Sequence, residues 1–137
     1  ILAGEIRSLI AAHGMDPGAG LYHSIEYGRP SLAVDLLEEF RSVVIDRFAL
    51  YLVRQRIVSP SDFSFDERDG CRFSREGLGR FYVEYEKWMT RDLGFKESVT
   101  WRDILLRQVY RLAKAVDAGG EYRPMLFGEG DVHSGQL

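Results

Sequence analysis

The chain has 137 residues, enough for one domain with a real core, and its apolar fraction of 45% and charged fraction of 28% are those of an ordinary water-soluble protein. A net charge of −3 excludes a globally basic nucleic-acid binder, though not a local basic face. The only cysteine is Cys71, so no disulfide can form within the chain. No apolar run reaches the roughly 18 residues of a membrane-spanning helix, and no charged segment leads into a short apolar one as in a signal peptide. These features together lead us to expect a cytoplasmic protein without a membrane partner.

Leu2, Ile6, Leu9 and Ile10 recur at the spacing of one helical stripe, which predicts an amphipathic helix over 1–13 ended by Gly14. It starts at Ile1 with neither a methionine nor a capping residue, the pattern expected of a piece of a longer chain. Asp16-Pro17-Gly18 is a turn, since proline presets φ and glycine supplies φ > 0, and 21–27 reads as extended. Pro30 suits a first helical turn. From Ser31 to Arg56 the periodicity then holds without a breaker, which predicts one long buried helix with Leu32, Leu36, Phe40, Val43, Val44, Phe48, Tyr51 and Leu52 inward.

Ser59-Pro60-Ser61 ends that run. Phe63-Ser64-Phe65 and Cys71-Arg72-Phe73 then flank Asp69-Gly70, a two-residue hairpin signal. Ser74 is a natural N-cap for a helix over 75–92 with Leu78, Phe81, Tyr82, Tyr85, Trp88 and Met89 on its apolar side, closed by Gly94. Thr100 and Asp103 form a capping box for a last helix whose Ile104, Leu105, Val109, Leu112 and Val116 face the core. From Glu121 to Leu137 periodicity is lost and a partly disordered tail is expected. The predicted class is all-α with one small β-hairpin, with a helical domain over 1–126 and a flexible tail over 127–137.

One stretch carries candidate chemistry. His23 follows a Gly-rich turn, and the helix opening after Gly28-Arg29-Pro30 bears Asp35, Glu38 and Glu39. At spacings of i, i+3 and i+4, Asp35 can share a face with either glutamate, while Glu38 and Glu39 point about 100° apart. Oxygen ligands suit Mg²⁺ or Mn²⁺, and Mn²⁺ also accepts an imidazole, so a histidine with carboxylates fits a site that polarises a phosphodiester. The competing reading is structural: acids in the first turns of a helix complement its dipole, and His23 is a loop histidine. His13 at a helix end, His133 in the tail and Cys71 beside the hairpin have no chemical partner in sequence.

Arg107, Arg111 and Lys114 at i, i+4 and i+7 form a basic row away from the apolar stripe of the last helix. Such a row is either a solvated face or a set of backbone-phosphate contacts, to which Arg54, Arg56, Arg72, Arg75 and Arg80 add if they converge.

The segment LYHSIEYGRPSLAVDLLEEFR resembles the helical C-terminal domain of the CRISPR adaptation integrase, the Cas-one family, in its His, its Gly-Arg-Pro-Ser-Leu-Ala and its Asp-Leu followed by carboxylates and Phe-Arg. The preceding AAHGMDPGAG, the hairpin, the aromatic helix and the closing Glu121-Tyr122-Arg123-Pro124 are also similar. The resemblance implies a metal-dependent DNA endonuclease and integrase of spacer acquisition, in which the 3′-hydroxyl of a short DNA fragment attacks a phosphodiester at the edge of a CRISPR repeat. His23 then matches the metal-binding histidine, Glu38 an acidic ligand and Asp35 a supporting acid. Arg29 and Arg41 match site-shaping or phosphate-binding positions, with an i, i+3 pair to Glu38 as the plain alternative for Arg41. Implied partners are Mg²⁺ or Mn²⁺, double-stranded DNA, a second copy of the intact protein and the small Cas-two subunit.

The family's further glutamate ligand lies upstream of the first helix, and Glu5 does not match it. A C-terminal piece without that ligand and without the N-terminal β domain is therefore expected. The alternatives are a non-catalytic helical DNA-binding or assembly domain, or a protein-interaction module using exposed aromatics such as Tyr82 or Trp101.

Overall fold

The structure is a computed structural model, and it describes residues 1–19, 31–68 and 70–125. In chain order it contains α1 (Leu2–Ala12), α2 (Ser31–Phe40), a π-helical segment (Arg41–Asp46), α3 (Arg47–Arg54), a 3₁₀ turn (Pro60–Asp62), strands β1 (Phe63–Asp66) and β2 (Gly70–Phe73), α4 (Arg75–Thr90) and α5 (Trp101–Asp117). The all-α class with one hairpin is thus what the chain adopts. α1 packs on α2 and α5, α4 packs on α5, and the hairpin lies under the start of α4. Among the described residues no helix is long and apolar enough to cross a membrane.

The long helix is not uniform, and its sequence explains why. Leu36, Phe40, Val44, Phe48 and Leu52 are all buried, and they recur every four residues rather than every 3.6. In a pure α-helix such a series drifts by about 40° per step and leaves the core after a few turns. The π segment has more residues per turn and takes up the drift, so that one face stays inward from α2 to α3. Phe48 then sits amid Phe81, Tyr85 and Trp88, with ring centroids 5.5, 5.8 and 5.5 Å away.

The hairpin is antiparallel, pairing Phe63 with Phe73 and Asp66 with Gly70. Three residues, 67–69, therefore separate the paired ends, not the two expected from Asp69-Gly70. The Asp66 side chain accepts a hydrogen bond from Arg68 N at 2.8 Å, and Gly70 takes φ +71°, the conformation that closes a three-residue loop. Ser74 caps α4 as expected, accepting from Gly77 N at 3.1 Å. α4 ends at Thr90, earlier than the predicted Asp92. It reaches the main core through Phe81, Tyr85, Trp88 and Met89, while Leu78 and Tyr82 are exposed rather than apolar-side residues.

The capping box at Thr100 and Asp103 is formed, with Thr100 N donating to Asp103 Oδ2 at 2.9 Å, and these hydrogen bonds hold the Asp103 carboxyl below its ordinary pKa. Trp101 is 1% exposed, which removes it from any aromatic docking surface, while Val116 lies beyond the core and is exposed. Residues 121–125, expected as the start of a tail, instead pack inward through Tyr122 and Met125. The predicted flexible stretch 127–137 lies outside the described residues.

A second capping box was not foreseen. Ser59 N donates to Asp62 Oδ2 at 2.8 Å, Ser74 N donates to Asp62 O at 2.7 Å, and Arg80 pairs with the same buried aspartate. This turn presses on α4 at Gly77, where an added Cβ meets Asp62 O at 2.5 Å. Gly79, one residue further along, has open space around its missing Cβ. Gly77→Ala is therefore expected to lower stability by about 1–3 kcal/mol, while Gly79→Ala raises it by about 0.5–1 kcal/mol through helix propensity. Thermal melts of the two variants check the opposite signs.

Candidate metal centre and nucleic-acid interface

The acids of α2 have three different fates, set by the 100° step between successive helical residues. Asp35 is 7% exposed and lies within the protein. Glu38 is at the surface, where it pairs with Arg41 at 3.0 Å, both side chains being about half exposed. This is the i, i+3 pair weighed for Arg41, and such surface pairs contribute no more than about 1 kcal/mol. Glu38 thus keeps its oxygens accessible to a cation. His23 and Arg29, the other members of the predicted site, lie outside the described residues. Among the described residues no three His, Cys, Asp or Glu side chains come together as a metal cluster. The donor chemistry of Glu38 and Asp35, carboxylate oxygens only, fits a hard cation such as Mg²⁺ or Mn²⁺.

Glu39 points elsewhere. Its Oε1 accepts from the Tyr122 hydroxyl at 2.6 Å, and its Oε2 accepts from Gln108 Nε2 at 3.0 Å and from Met125 N at 2.9 Å. Burial raises its pKa, and the hydrogen bonds from Tyr122, Met125 and Gln108 only partly offset that effect. Gln108 is wholly buried on α5 and also reaches Tyr122 Oη at 2.6 Å and Arg123 O at 3.3 Å. Sequence reasoning did not single out Gln108, and it named Tyr122 and Arg123 only within the closing stretch similar to the family. The available signal was Gln108 itself, a polar residue within the stripe Ile104, Leu105, Val109 and Leu112.

The basic row of α5 is exposed, as predicted, and it lines two adjoining depressions. One, of about 280 Å³, is bounded by Arg107, Arg111, Lys96, Phe95 and Met125, with Glu97 on its rim. The other, of about 400 Å³, lies between Arg111, Lys114, Tyr122 and Arg123, with Glu121 beside them. Arg111 is common to both. Lys96 and Arg123 therefore extend the row, whereas Arg80 is taken by Asp62. Glu5 is occupied as well: Arg102 bridges it at 3.2 Å to Glu86 at 2.8 Å, tying α1, α4 and α5 together.

Residues 1–87, which include α2 and its acids, match the family model described as CRISPR associated protein Cas1. The chain belongs to the Cas1 family. It is 37% identical over 118 residues to the CRISPR-associated endonuclease Cas1 3 of Thermus thermophilus, covering 83% of this chain and 35% of that relative. Among solved structures it is similar to a casposase bound to integration product, with a TM-score of 0.77 and 23% identity over 93% of this chain and 38% of that one. It is also similar to a chain of a Cas6-RT-Cas1–Cas2 complex, with a TM-score of 0.74 and 20% identity over 92% of this chain and 14% of that one. Both structural likenesses concern the fold. The chain spans about a third of the length of the curated Cas1 relatives it matches.

The division of labour between the adjacent glutamates has a direct energetic consequence. Glu38→Ala is expected to change stability by less than about 1 kcal/mol, since it removes one surface pair. Glu39→Ala is expected to cost about 1–3 kcal/mol, since it removes the carboxylate acceptor of the half-buried Tyr122 hydroxyl and of the Met125 N–H, and one of the bonds of the buried Gln108 amide. Urea unfolding of the two variants checks the ranking.

Proposed function

We propose that this chain supplies the acidic helix and a DNA-gripping basic face of a metal-dependent integrase that inserts short DNA fragments into a CRISPR repeat array. The observation that carries the reading is the Cas1 match over the segment that contains His23, Asp35 and Glu38, with Glu38 open at the surface of α2. In the reaction the 3′-hydroxyl oxygen of the incoming strand forms a bond to a repeat phosphorus. The phosphodiester P–O bond to the repeat strand breaks, and the released oxygen takes up a proton in place of the one lost by the attacking hydroxyl.

His23 and Glu38 would hold a Mg²⁺ or Mn²⁺ ion, with Asp35 as a supporting acid, and the ion would supply positive charge to offset the negative charge developing on the phosphate oxygens. Arg41 and Arg29 shape that site, and Arg107, Arg111 and Lys114 bind backbone phosphates without reading sequence. Double-stranded DNA, a second copy of the intact protein and a Cas2 subunit are the partners. In support, the two structural neighbours are a casposase bound to integration product and a Cas6-RT-Cas1–Cas2 complex.

The second reading, a non-catalytic DNA-binding domain, is favoured by the basic depressions alone, and metal dependence separates the two. A calorimetric Mn²⁺ titration is expected to show saturable binding that is lost in His23→Ala and weakened more by Glu38→Gln than by Glu39→Gln. Equal binding by His23→Ala removes that residue from the site. Replacing Arg107, Arg111 and Lys114 together is expected to weaken duplex binding and lower the salt slope by about one unit per lost phosphate contact, as read from fluorescence anisotropy at several salt concentrations.

A further inference from the structure

Residues 121–125 run over the helices without belonging to any helix or strand. The backbone N–H and C=O groups of such a segment must find partners outside regular structure. Two of these groups meet side chains of the helices: Glu39 of α2 accepts from Met125 N, and Gln108 of α5 donates to Arg123 O. Tyr122 closes the arrangement, donating to Glu39 and accepting from Gln108. Both Glu39 oxygens are thereby committed within the protein, one to Tyr122 and the other to Gln108 and Met125.

The segment held this way forms part of both basic depressions. Met125 lines the first together with Arg107 and Arg111, and Tyr122 and Arg123 line the second together with Arg111 and Lys114. These hydrogen bonds, together with the packing of Tyr122 and Met125 on the core, hold Arg123 and Met125 against the helices. We propose that Glu39 is a positioning residue for nucleic-acid binding: with Gln108 it latches residues 121–125 into an arm that forms the outer wall of the basic groove and brings Arg123 to the phosphates held by α5. The inference rests on the reading of that face as a DNA-binding surface. It adds a mechanical link, since the residue next to Glu38 on α2 holds the wall of the groove.

The sign of the effect distinguishes a latch from a charge. Removing a carboxylate near a basic face strengthens DNA binding by electrostatics alone, whereas losing the latch weakens it. The test measures duplex affinity by fluorescence anisotropy across salt concentrations, together with amide hydrogen exchange at Met125, in the 137-residue chain and its variants. Glu39→Ala is expected to speed exchange at that amide by about tenfold or more. It is also expected to weaken duplex binding by roughly tenfold and to lower the salt slope by about one unit, the contribution of Arg123. Arg123→Ala is expected to lower the slope equally without speeding exchange at Met125.

Tyr122→Phe keeps the carboxylate and the ring packing, and it is expected to move exchange and affinity in the same direction as Glu39→Ala, so a poorly folded Glu39→Ala leaves the proposal testable. Faster exchange in Glu39→Ala and Tyr122→Phe with unchanged or tighter DNA binding overturns the proposal, while the DNA reading survives through the Arg107, Arg111 and Lys114 replacement. If that triple replacement also binds as the unaltered chain does, the DNA reading fails and this inference falls with it.

Discussion

The inward face of the helix running from α2 to α3 sets the frame of this domain. Leu36, Phe40, Val44, Phe48 and Leu52 stay buried over four successive steps only because the π segment absorbs the mismatch between a spacing of four and a period of 3.6. α1 lies against the first part of this helix, and the aromatic residues of α4 close over Phe48. Burial of this apolar surface is the main stabilising contribution, and its direction along the helix fixes which polar residues are left pointing out.

That orientation divides the acids of α2. Because consecutive helical positions differ by about 100°, a helix that buries Leu36 and Phe40 cannot present Glu38 and Glu39 to the same surroundings. Glu38 meets solvent and Arg41, a weak pair that yields easily to a cation. Glu39 meets Gln108, Tyr122 and a backbone amide, where it completes a hydrogen-bonded set and is of no further use as a ligand. Two like residues, adjacent in the chain, are thus left in different settings, one open at the surface and the other committed to the architecture.

Membership of the Cas1 family and the geometry of α5 address different parts of the function. The family match ends at residue 87, before α5 begins. The basic depressions are therefore read from the structure, where Lys96, Arg123 and the α5 row converge although they come from three separate stretches of sequence. Phosphate recognition needs only cations at suitable spacing, so the proposed DNA contact rests on this convergence of side chains and not on a sequence motif.

The sequence by itself determined what depends on neighbours in the chain. Ser74 and Thr100 as caps, the hairpin between Phe63 and Phe73, the apolar faces of α1, α2 and α5, and the family motif around His23, Asp35 and Glu38 are all local patterns of spacing and turn chemistry. What escaped it depends on distant partners. The π segment answers to the shape of the core, the three-residue loop to the pairing of Asp66 with Gly70, and the burial of Trp101 to the packing of helices on either side. The docking of residues 121–125 is the clearest case: these residues have no periodicity, and what holds them is a carboxylate 83 residues away from Tyr122 and a glutamine 14 residues before it. Hydrogen bonds between an irregular segment and buried side chains leave no spacing to read, so only the tertiary structure decided where that segment lies and which glutamate remained open.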